Sequence, residues 1–242
     1  MKHLDERHAG YMARLVLEAG LEVSPEAQMS ILDHLDWVLE QNAFLNLTSI
    51  VEPFSAVRLH SVDSLMVLPE VLAAPAGYLL DLGTGAGFPG LPLALASNRS
   101  AVLLDSVAKK CASIAGFLAR EGLEQRIAVE VGRAEQLASS RRGDFSVVAT
   151  RAVAGLPALL ELAAPLLVEG GLLVALKGKI GEDEVAAGDA AALVVGMQRG
   201  AVRAYLLPDG GESRAAVTYR RTSEPRVSLP RRVGMAQKKP LG

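Results

Sequence analysis

The sequence predicts an α/β fold built on a mostly parallel sheet, and two observations support this prediction. From residue 78 onward, short β-rich apolar runs alternate with longer helical stretches. Two further runs, AVRAYLL and AAVTYRR, flank the glycine-rich segment PDGGES, which is typical of a hairpin. Strands that alternate with helices form βαβ units, so helices are expected on both faces of the sheet. The 242 residues suit one large domain with an appended element.

Residues 1–70 are predicted to form an N-terminal helical extension that packs on the core. Ser24-Pro25-Glu26 is a typical helix start, with Ser24 as the N-cap, and apolar residues follow it at helical spacing. A second apolar pattern of the helical type follows Glu52-Pro53. The segment between them, QNAFLNLTSI at 41–50, is predicted to be a loop.

The core domain is predicted to span residues 71–222 and to contain seven strands. The first five are YLLDL (78–82), AVLLD (101–105), IAVEV (127–131), FSVVA (145–149) and LLVAL (172–176). A helical stretch around 181–195 separates them from the final hairpin, in which the last two strands are antiparallel. A basic tail at 223–242 follows the domain.

The composition argues against a membrane span and against a disordered chain. Half of the residues are hydrophobic, and no window approaches the roughly eighteen uninterrupted apolar residues of a membrane helix. The first ten residues lack the apolar segment of a secretory signal, and the single Cys111 has no partner for an internal disulfide. We therefore expect a globular protein of the cytoplasm.

The net charge of −2 hides an uneven distribution of charge along the chain. Residues 1–70 carry four basic and eleven acidic residues, whereas residues 214–242 carry eight basic residues and one acid, Glu224. Such asymmetry is typical of a protein with a polyanionic partner, although a solvated terminus gives the same pattern.

A glycine-rich loop follows the first strand, where open α/β sheets bind their ligands. Gly85, Gly87 and Gly90 spell G-x-G-x-x-G, a pattern that serves a nucleotide-like ligand or simply close helix packing. Asp81 precedes the loop and would repel a phosphate, but it suits an ammonium group. Asp105 ends the second strand, where a carboxylate binds ribose hydroxyls. An adenosine, an α-amino group and no phosphate together indicate S-adenosylmethionine.

Several motifs resemble one protein family in order along nearly the whole chain. They are NLTSI (46–50), RLHSVDSL (58–65), DLGTGAGFPGLPLALA (81–96), LLDSVAKKCA (103–112), GRAEQLA (132–138), ATRAVAGLPALLELAAPLLVEGGLLVALKGK (149–179) and LPRRVGMAQKKPL (229–241). The chain resembles the bacterial 16S rRNA 7-methylguanosine methyltransferases, also called glucose-inhibited division protein B. These are class I S-adenosylmethionine-dependent methyltransferases with a Rossmann-like fold. The segments FPG, TRAVA and PRR…KKPL are more specific than the glycines.

The resemblance implies roles for individual residues at matching positions. Gly83 and Phe88 correspond to family residues that contact the cofactor. Ala134 and Glu135 correspond to the pair beside the adenine, and Arg151 of TRAVA corresponds to a further binding residue. The tail departs from the family pattern at Met235-Ala236-Gln237, which leaves open how it meets RNA.

The residues also narrow the chemistry of methyl transfer. Methylation of a pyrimidine carbon needs a cysteine nucleophile, but Cys111 lies within a predicted helix, where a packing role is expected. Methylation of an exocyclic amine usually uses an Asn/Asp-Pro-Pro-aromatic loop, and ATRAVAGLP stands in its place. Guanine N7 carries a lone pair and no proton, so positioning supplies most of the rate and no catalytic base or metal is expected. His60 and Arg151 are candidates for orienting the substrate.

Basic residues at the predicted ligand edge indicate contact with RNA phosphates. Arg133, Arg151, Lys177 and Lys179 each follow a predicted strand, although solvated loop residues would look the same. The tail adds Arg231, Arg232, Lys238 and Lys239. We expect a monomer that acts on 16S rRNA or on the small ribosomal subunit. An NAD-dependent oxidoreductase and an inactive ribosome-binding module are the alternatives.

Overall fold

A computed structural model of the chain describes residues 3–242. Its centre is a seven-stranded sheet in the order β3-β2-β1-β4-β5-β7-β6. The strands are β1 (Tyr78–Leu82), β2 (Ala101–Asp105), β3 (Ile127–Val131), β4 (Phe145–Arg151), β5 (Leu167–Lys177), β6 (Met197–Leu206) and β7 (Ser213–Arg221). Strands β1 to β5 are parallel, whereas β7 runs antiparallel to both β5 and β6. The predicted mostly parallel sheet with a final hairpin is confirmed.

Helices cover both faces of the sheet. They are α1 (Glu6–Glu18), α2 (Pro25–Leu45), α3 (Pro53–Ala56), a π-helix (Val57–Val62), α4 (Asp63–Leu65), α5 (Leu68–Leu72), α6 (Gly90–Ser97), α7 (Ala108–Glu121), α8 (Ala134–Ser140), α9 (Leu156–Ala163), α10 (Glu182–Val195) and α11 (Met235–Lys238). Apolar side chains of β1, β2 and β4 alternate between two buried clusters, one on each face. This alternation is what a sheet covered on both faces requires.

The N-terminal helices form a third apolar cluster that reaches the glycine-rich loop. Helix α2 begins at Pro25 with Ser24 as the N-cap, as predicted, and it packs against α6 and α7. The predicted loop at 41–50 is wrong at its start, because α2 continues to Leu45 and ends at Asn46 in the left-handed conformation. Residues Ala86 and Phe88 of the glycine-rich loop belong to this third cluster. The helical extension therefore supports the loop from outside the sheet.

The basic tail lies against the core through buried side chains. Leu229 and Ala236 are almost fully buried beside the apolar cluster that contains α9 and α10. Short helix α11 contacts α9, and Leu241 packs against the same cluster. The tail thus reaches the carboxyl edge of the sheet.

Within residues 3–242, no helix is long and apolar enough to cross a bilayer.

Candidate functional site

A cavity of about 460 Å³ opens at the carboxyl ends of the parallel strands, where open α/β sheets bind ligands. The two walls of this cavity come from different parts of the chain. The sheet wall consists of the loop Gly83 to Ala86 with Asp105 and Ala134. The helix wall consists of Leu47, Thr48 and His60. Phe88 and Arg151 lie on the cavity surface between the two walls.

The glycine-rich loop holds its shape through conformations that favour glycine. Gly83 has a φ of 78° and Gly87 a φ of 103°. A Cβ atom on Gly83 would lie 2.4 Å from Val153 Cγ2, and one on Gly87 would lie 2.7 Å from the ring of His34. Gly85 has a φ of 60°, and a Cβ there would meet no atom within 4 Å. The backbone at Gly85 therefore borders open space on the cavity side.

Asp105 holds the glycine-rich loop by a hydrogen bond and lines the cavity. One carboxylate oxygen accepts a hydrogen bond from the Gly85 amide at 2.9 Å, and the other accepts one from the Val107 amide at 2.8 Å. Its position at the end of β2 agrees with the prediction from spacing. Each carboxylate oxygen retains acceptor capacity beyond one amide, so the group remains available to hydroxyl donors.

Asp81 lies behind the sheet wall and is absent from the surface of the cavity. The side chain is fully buried, and Oδ2 accepts a hydrogen bond from the Gly90 amide at 2.7 Å. A Cβ on Gly90 would lie 2.3 Å from Asp81 Cβ, so glycine is needed for this close approach. Burial raises the pKa of Asp81 to about 6. The observed role is support for the start of α6, and contact with a ligand ammonium stays a prediction.

An aromatic stack joins the helix wall to the glycine-rich loop. The Phe88 ring is nearly buried and lies 5.0 Å from the His60 ring, with 17° between their planes. His34 of α2 approaches Phe88 from another side at 4.8 Å. Its Nε2 lies 2.9 Å from the carbonyl oxygen of Ala86, and burial lowers its pKa to about 3. A neutral His34 therefore donates to the loop backbone.

Arg151 and His60 meet at the boundary between the walls. Arg151 donates to Asp63 Oδ2 at 2.9 Å and to the Leu59 carbonyl at 3.1 Å. Its Nη2 lies 3.5 Å from His60 Nδ1. Burial, with the nearby charge of Arg151, lowers the pKa of His60 to about 4. Asp63 is buried and also pairs with Arg214 at 3.1 Å, so one carboxylate orients two guanidinium groups.

The tail borders the cavity beside helix α8. Ala134 and Glu135 both line the cavity, and their place beside the adenine stays a prediction. Glu135 accepts a hydrogen bond from the Gly234 amide at 2.7 Å. Gly234 and Gln237 line the cavity as well. Besides its predicted position near the adenine, Glu135 therefore has a structural role in holding the tail.

Two further residues predicted to bind RNA are, like Arg151, held by the protein itself. Lys177 donates to Glu184 at 2.7 Å and to the Ala154 carbonyl at 2.8 Å, and its side chain is mostly buried. Arg231 pairs with the buried carboxylate of Glu161 at 2.6 Å. Both cations are thus paired within the protein, and their contact with RNA stays a prediction. The remaining predicted RNA-binding residues are exposed: Arg133, Lys179, Arg232, Lys238 and Lys239.

Cys111 lies within α7 with 2% of its surface exposed. Its sulfur lies 3.5 Å from the Asp105 carbonyl oxygen, and burial raises the pKa of the thiol. A raised pKa disfavours the nucleophilic thiolate, in agreement with the predicted packing role. Within residues 3–242, no group of three or more His, Cys, Asp or Glu side chains is arranged to hold a metal ion.

Sequence reasoning missed three residues that shape the site. They are Thr48, Asp63 and His34. Thr48 and Asp63 lie inside motifs that carried the family resemblance, so the motifs were a usable signal for them. His34 lies on the buried face of α2, 52 residues from its backbone partner Ala86. Its contact depends on how α2 packs against the loop, which no local pattern specifies.

Comparisons with other proteins agree with this architecture. Chains in solved structures share the fold, including an O-methyltransferase from Bacillus cereus (TM-score 0.54, 18% identity, 78% of this chain and 90% of that one). Geranyl diphosphate C-methyltransferase from Streptomyces coelicolor A3(2) matches with a TM-score of 0.55 and 12% identity, over 72% of this chain and 83% of that one. The seven-stranded Rossmann-like methyltransferase fold is therefore confirmed.

Proteins of similar sequence narrow the assignment from a fold to a family. The Ribosomal RNA small subunit methyltransferase G of Deinococcus radiodurans is 40% identical over 93% of this chain and 89% of its own length. The protein of the same name from Synechococcus elongatus is 36% identical over 92% of this chain and 93% of its own length. The sequence model of the family described as "GidB: rRNA small subunit methyltransferase G" matches residues 27–208. This chain therefore belongs to the rRNA small subunit methyltransferase G family.

Proposed function

We propose that this protein transfers a methyl group from S-adenosylmethionine to N7 of a guanine in 16S ribosomal RNA. The observation that carries the proposal is the site itself: a chain of this family places a glycine-rich loop and Asp105 on one wall of a cavity at the ligand edge of its sheet. Family membership supports a methyltransferase that acts on small-subunit rRNA. The choice of N7 rests on the resemblance and on the chemistry of the site.

The sheet wall fits a nucleoside with a methionine chain. The open space at Gly85 admits a ligand against the backbone, where a side chain would fill it. Asp105 offers a carboxylate to ribose hydroxyls, and Ala134 offers a small apolar surface to adenine. When bound, the cofactor supplies an electrophilic methyl group on a positively charged sulfur.

The other residues of the cavity support a mechanism based on positioning. Guanine N7 needs no base, and the low pKa of His60 leaves this imidazole neutral near pH 7. Arg151 is held by Asp63, which limits its side-chain freedom before the substrate arrives. Phe88 packs between the walls and keeps water away from the reacting atoms. Alignment of N7 with the methyl group then supplies most of the rate.

Exposed basic residues supply the contacts with RNA phosphates in this proposal. Arg133 is exposed and lines the cavity, and Lys179 is exposed just after β5. Arg232, Lys238 and Lys239 extend the basic surface along the tail. We further propose that the protein works as a monomer in the cytoplasm, where it meets 16S rRNA or the small subunit.

The test is methyl transfer from labelled S-adenosylmethionine to unmodified 16S rRNA and to small subunits, followed by nucleoside analysis. The proposal predicts 7-methylguanosine at a single position. Label on another atom, or no label on either substrate, would overturn it. Parallel titrations with NAD and with S-adenosylhomocysteine separate the alternatives. A protein that binds NAD but not S-adenosylhomocysteine is an oxidoreductase. A protein that binds RNA but transfers no methyl group is an inactive ribosome-binding module.

A further inference from the structure

The segment NLTSI carries a hydroxyl group to the helix wall and holds it rigidly. The Asn42 side chain accepts hydrogen bonds from the Leu47 and Thr48 amides at 2.6 and 2.9 Å. The same side chain donates to the Thr48 carbonyl at 3.0 Å. Thr48 therefore occupies a fixed position on the cavity surface, and neither the cofactor nor the phosphate contacts proposed above use it.

Charge decides which nitrogen of His60 carries the proton. Nδ1 faces the guanidinium of Arg151, which has only N–H donors and stays protonated. A lone pair at Nδ1 is favourable there, whereas an N–H would meet another donor. The neutral ring therefore carries its proton on Nε2, which lies 2.8 Å from Thr48 Oγ1. His60 donates and Thr48 accepts.

This assignment leaves the hydroxyl proton of Thr48 without an acceptor. Oγ1 accepts from His60 and also from the Ile50 amide at 3.0 Å. A hydroxyl oxygen accepts two hydrogen bonds and donates one. Among residues 3–242, the contacts of this hydroxyl include no acceptor for that proton. The hydroxyl group is thus a fixed donor on the cavity surface.

Arg151 presents a second donor at the other nitrogen of the His60 ring. Both protons of Nη1 are used, by the Leu59 carbonyl and by Asp63. One Nη2 proton points toward His60, which leaves a second Nη2 proton for the cavity. The two donors approach the His60 ring at different nitrogens, so only the Thr48 hydroxyl is assigned to the base edge.

We propose that Thr48 selects guanine by donating its hydroxyl proton to O6 of the target base. This inference rests on the proposed function. Guanine presents O6 and N7 as acceptors on the same edge, so donors at O6 leave N7 free for the methyl group. Adenine presents an amino group in place of O6, which would meet the Thr48 donor. Thr48 thereby excludes adenine without touching the reacting nitrogen.

The test compares guanosine with 2-aminopurine riboside at the mapped target position of the RNA. The analogue keeps N7 and lacks O6. Single-turnover rates of methyl transfer are measured with the wild-type protein, Thr48→Val and Thr48→Ser. Thr222→Val serves as the matched control, because Thr222 lies at the opposite edge of the sheet near Gly196. Affinity for S-adenosylhomocysteine and the melting temperature show whether each variant retains its cofactor site and its fold.

The wild-type protein is expected to prefer guanosine, and Thr48→Val is expected to reduce that preference about 10- to 100-fold by slowing the guanosine reaction. Thr48→Ser restores the hydroxyl and the preference, and Thr222→Val leaves the preference unchanged. Equal slowing on both substrates by Thr48→Val, or no slowing on either, would overturn the inference while the proposed function stands. Absence of N7 transfer by the wild-type protein would overturn both.

Discussion

The two walls of the cavity keep their shapes by different means. The sheet wall depends on backbone conformation: Gly83 and Gly87 take positive φ values, and Asp105 binds the loop through an amide. The helix wall depends on hydrogen-bonded side chains, with His60 held between Thr48 and Arg151. A backbone site follows from the local sequence, whereas a side-chain site requires distant partners. The comparison predicts different responses to substitution.

The largest effect is expected from a change in the backbone of the sheet wall. Gly83→Ala forces a Cβ against Val153 at 2.4 Å and strains a φ of 78°. We expect at least a 30-fold loss of affinity for S-adenosylhomocysteine, which corresponds to about 2 kcal/mol. Isothermal titration calorimetry measures it.

Gly20→Ala is the matched control for this substitution. Gly20 has a similar φ of 66°, but a Cβ there meets no atom within 4 Å, and the residue lies far along the chain from the loop. It should lower the melting temperature slightly and leave the affinity unchanged. If both variants lose the same affinity, the shape of the sheet wall is not what binds the cofactor.

The tail is held by side chains, as the helix wall is, and Arg231 is expected to give the next largest effect. Arg231→Gln leaves the Glu161 carboxylate buried without its partner. The unfolding free energy should fall by about 2 kcal/mol, less than for a fully buried pair because 23% of the Arg231 side chain is exposed. Denaturant unfolding measures the change. Arg232→Gln, on an exposed neighbour, should change it by under about 0.5 kcal/mol, and equal losses would contradict the assignment of Arg231 to the fold.

Two buried groups behind the walls, His34 and Asp81, are expected to change the unfolding free energy with pH in opposite directions. The lowered pKa of His34 gives stability that is present above pH 6.5 and is lost as the pH falls toward 3. The raised pKa of Asp81 gives stability that is present below pH 3.8 and is lost as the pH rises toward 6. Each group changes the unfolding free energy by up to about 1.4 kcal/mol per pH unit.

Unfolding of the wild-type protein, His34→Gln and Asp81→Asn between pH 4 and 6 separates the two contributions. On acidification, the wild-type protein should lose stability relative to His34→Gln and gain stability relative to Asp81→Asn. The same sign for both differences would show that one of the two protonation states is assigned wrongly.

The smallest effect is expected from single exposed cations. Replacing Arg232, Lys238 or Lys239 with glutamine should each lower the slope of log affinity for RNA against log salt by roughly one. Filter binding over a range of salt concentrations measures the slope. Arg226→Gln is the control, since Arg226 is exposed and its backbone amide donates to the Val194 carbonyl, away from the cavity. Unchanged slopes for the tail variants would assign these residues to solubility.

The same contrast explains what could be predicted from the sequence. Buried parallel strands are apolar throughout, so runs such as YLLDL located β1 at its observed bounds. The glycine-rich loop and Asp105 follow directly from strand ends. In contrast, the partners of Lys177 and Arg231 lie on helices α10 and α9, and strand-end position alone does not reveal them.

Local sequence patterns also fail to predict the irregular segments. The apolar pattern after Pro53 predicted helix, but it gave no sign that Val57–Val62 forms a π-helix. This turn carries His60 and therefore sets the height of the imidazole on the helix wall. Its geometry depends on packing with α1 and α2, which only the folded chain defines.

The most direct measurement for the whole account is a crystal structure of the protein with S-adenosylhomocysteine and a short RNA that contains the target guanine. The account predicts the nucleoside along Gly83 to Ala86 with its ribose on Asp105. It also predicts the guanine at the helix wall, with O6 toward Thr48 and N7 facing the sulfur. A cofactor bound away from the sheet wall, or a guanine that turns its N7 away from the sulfur, would contradict it.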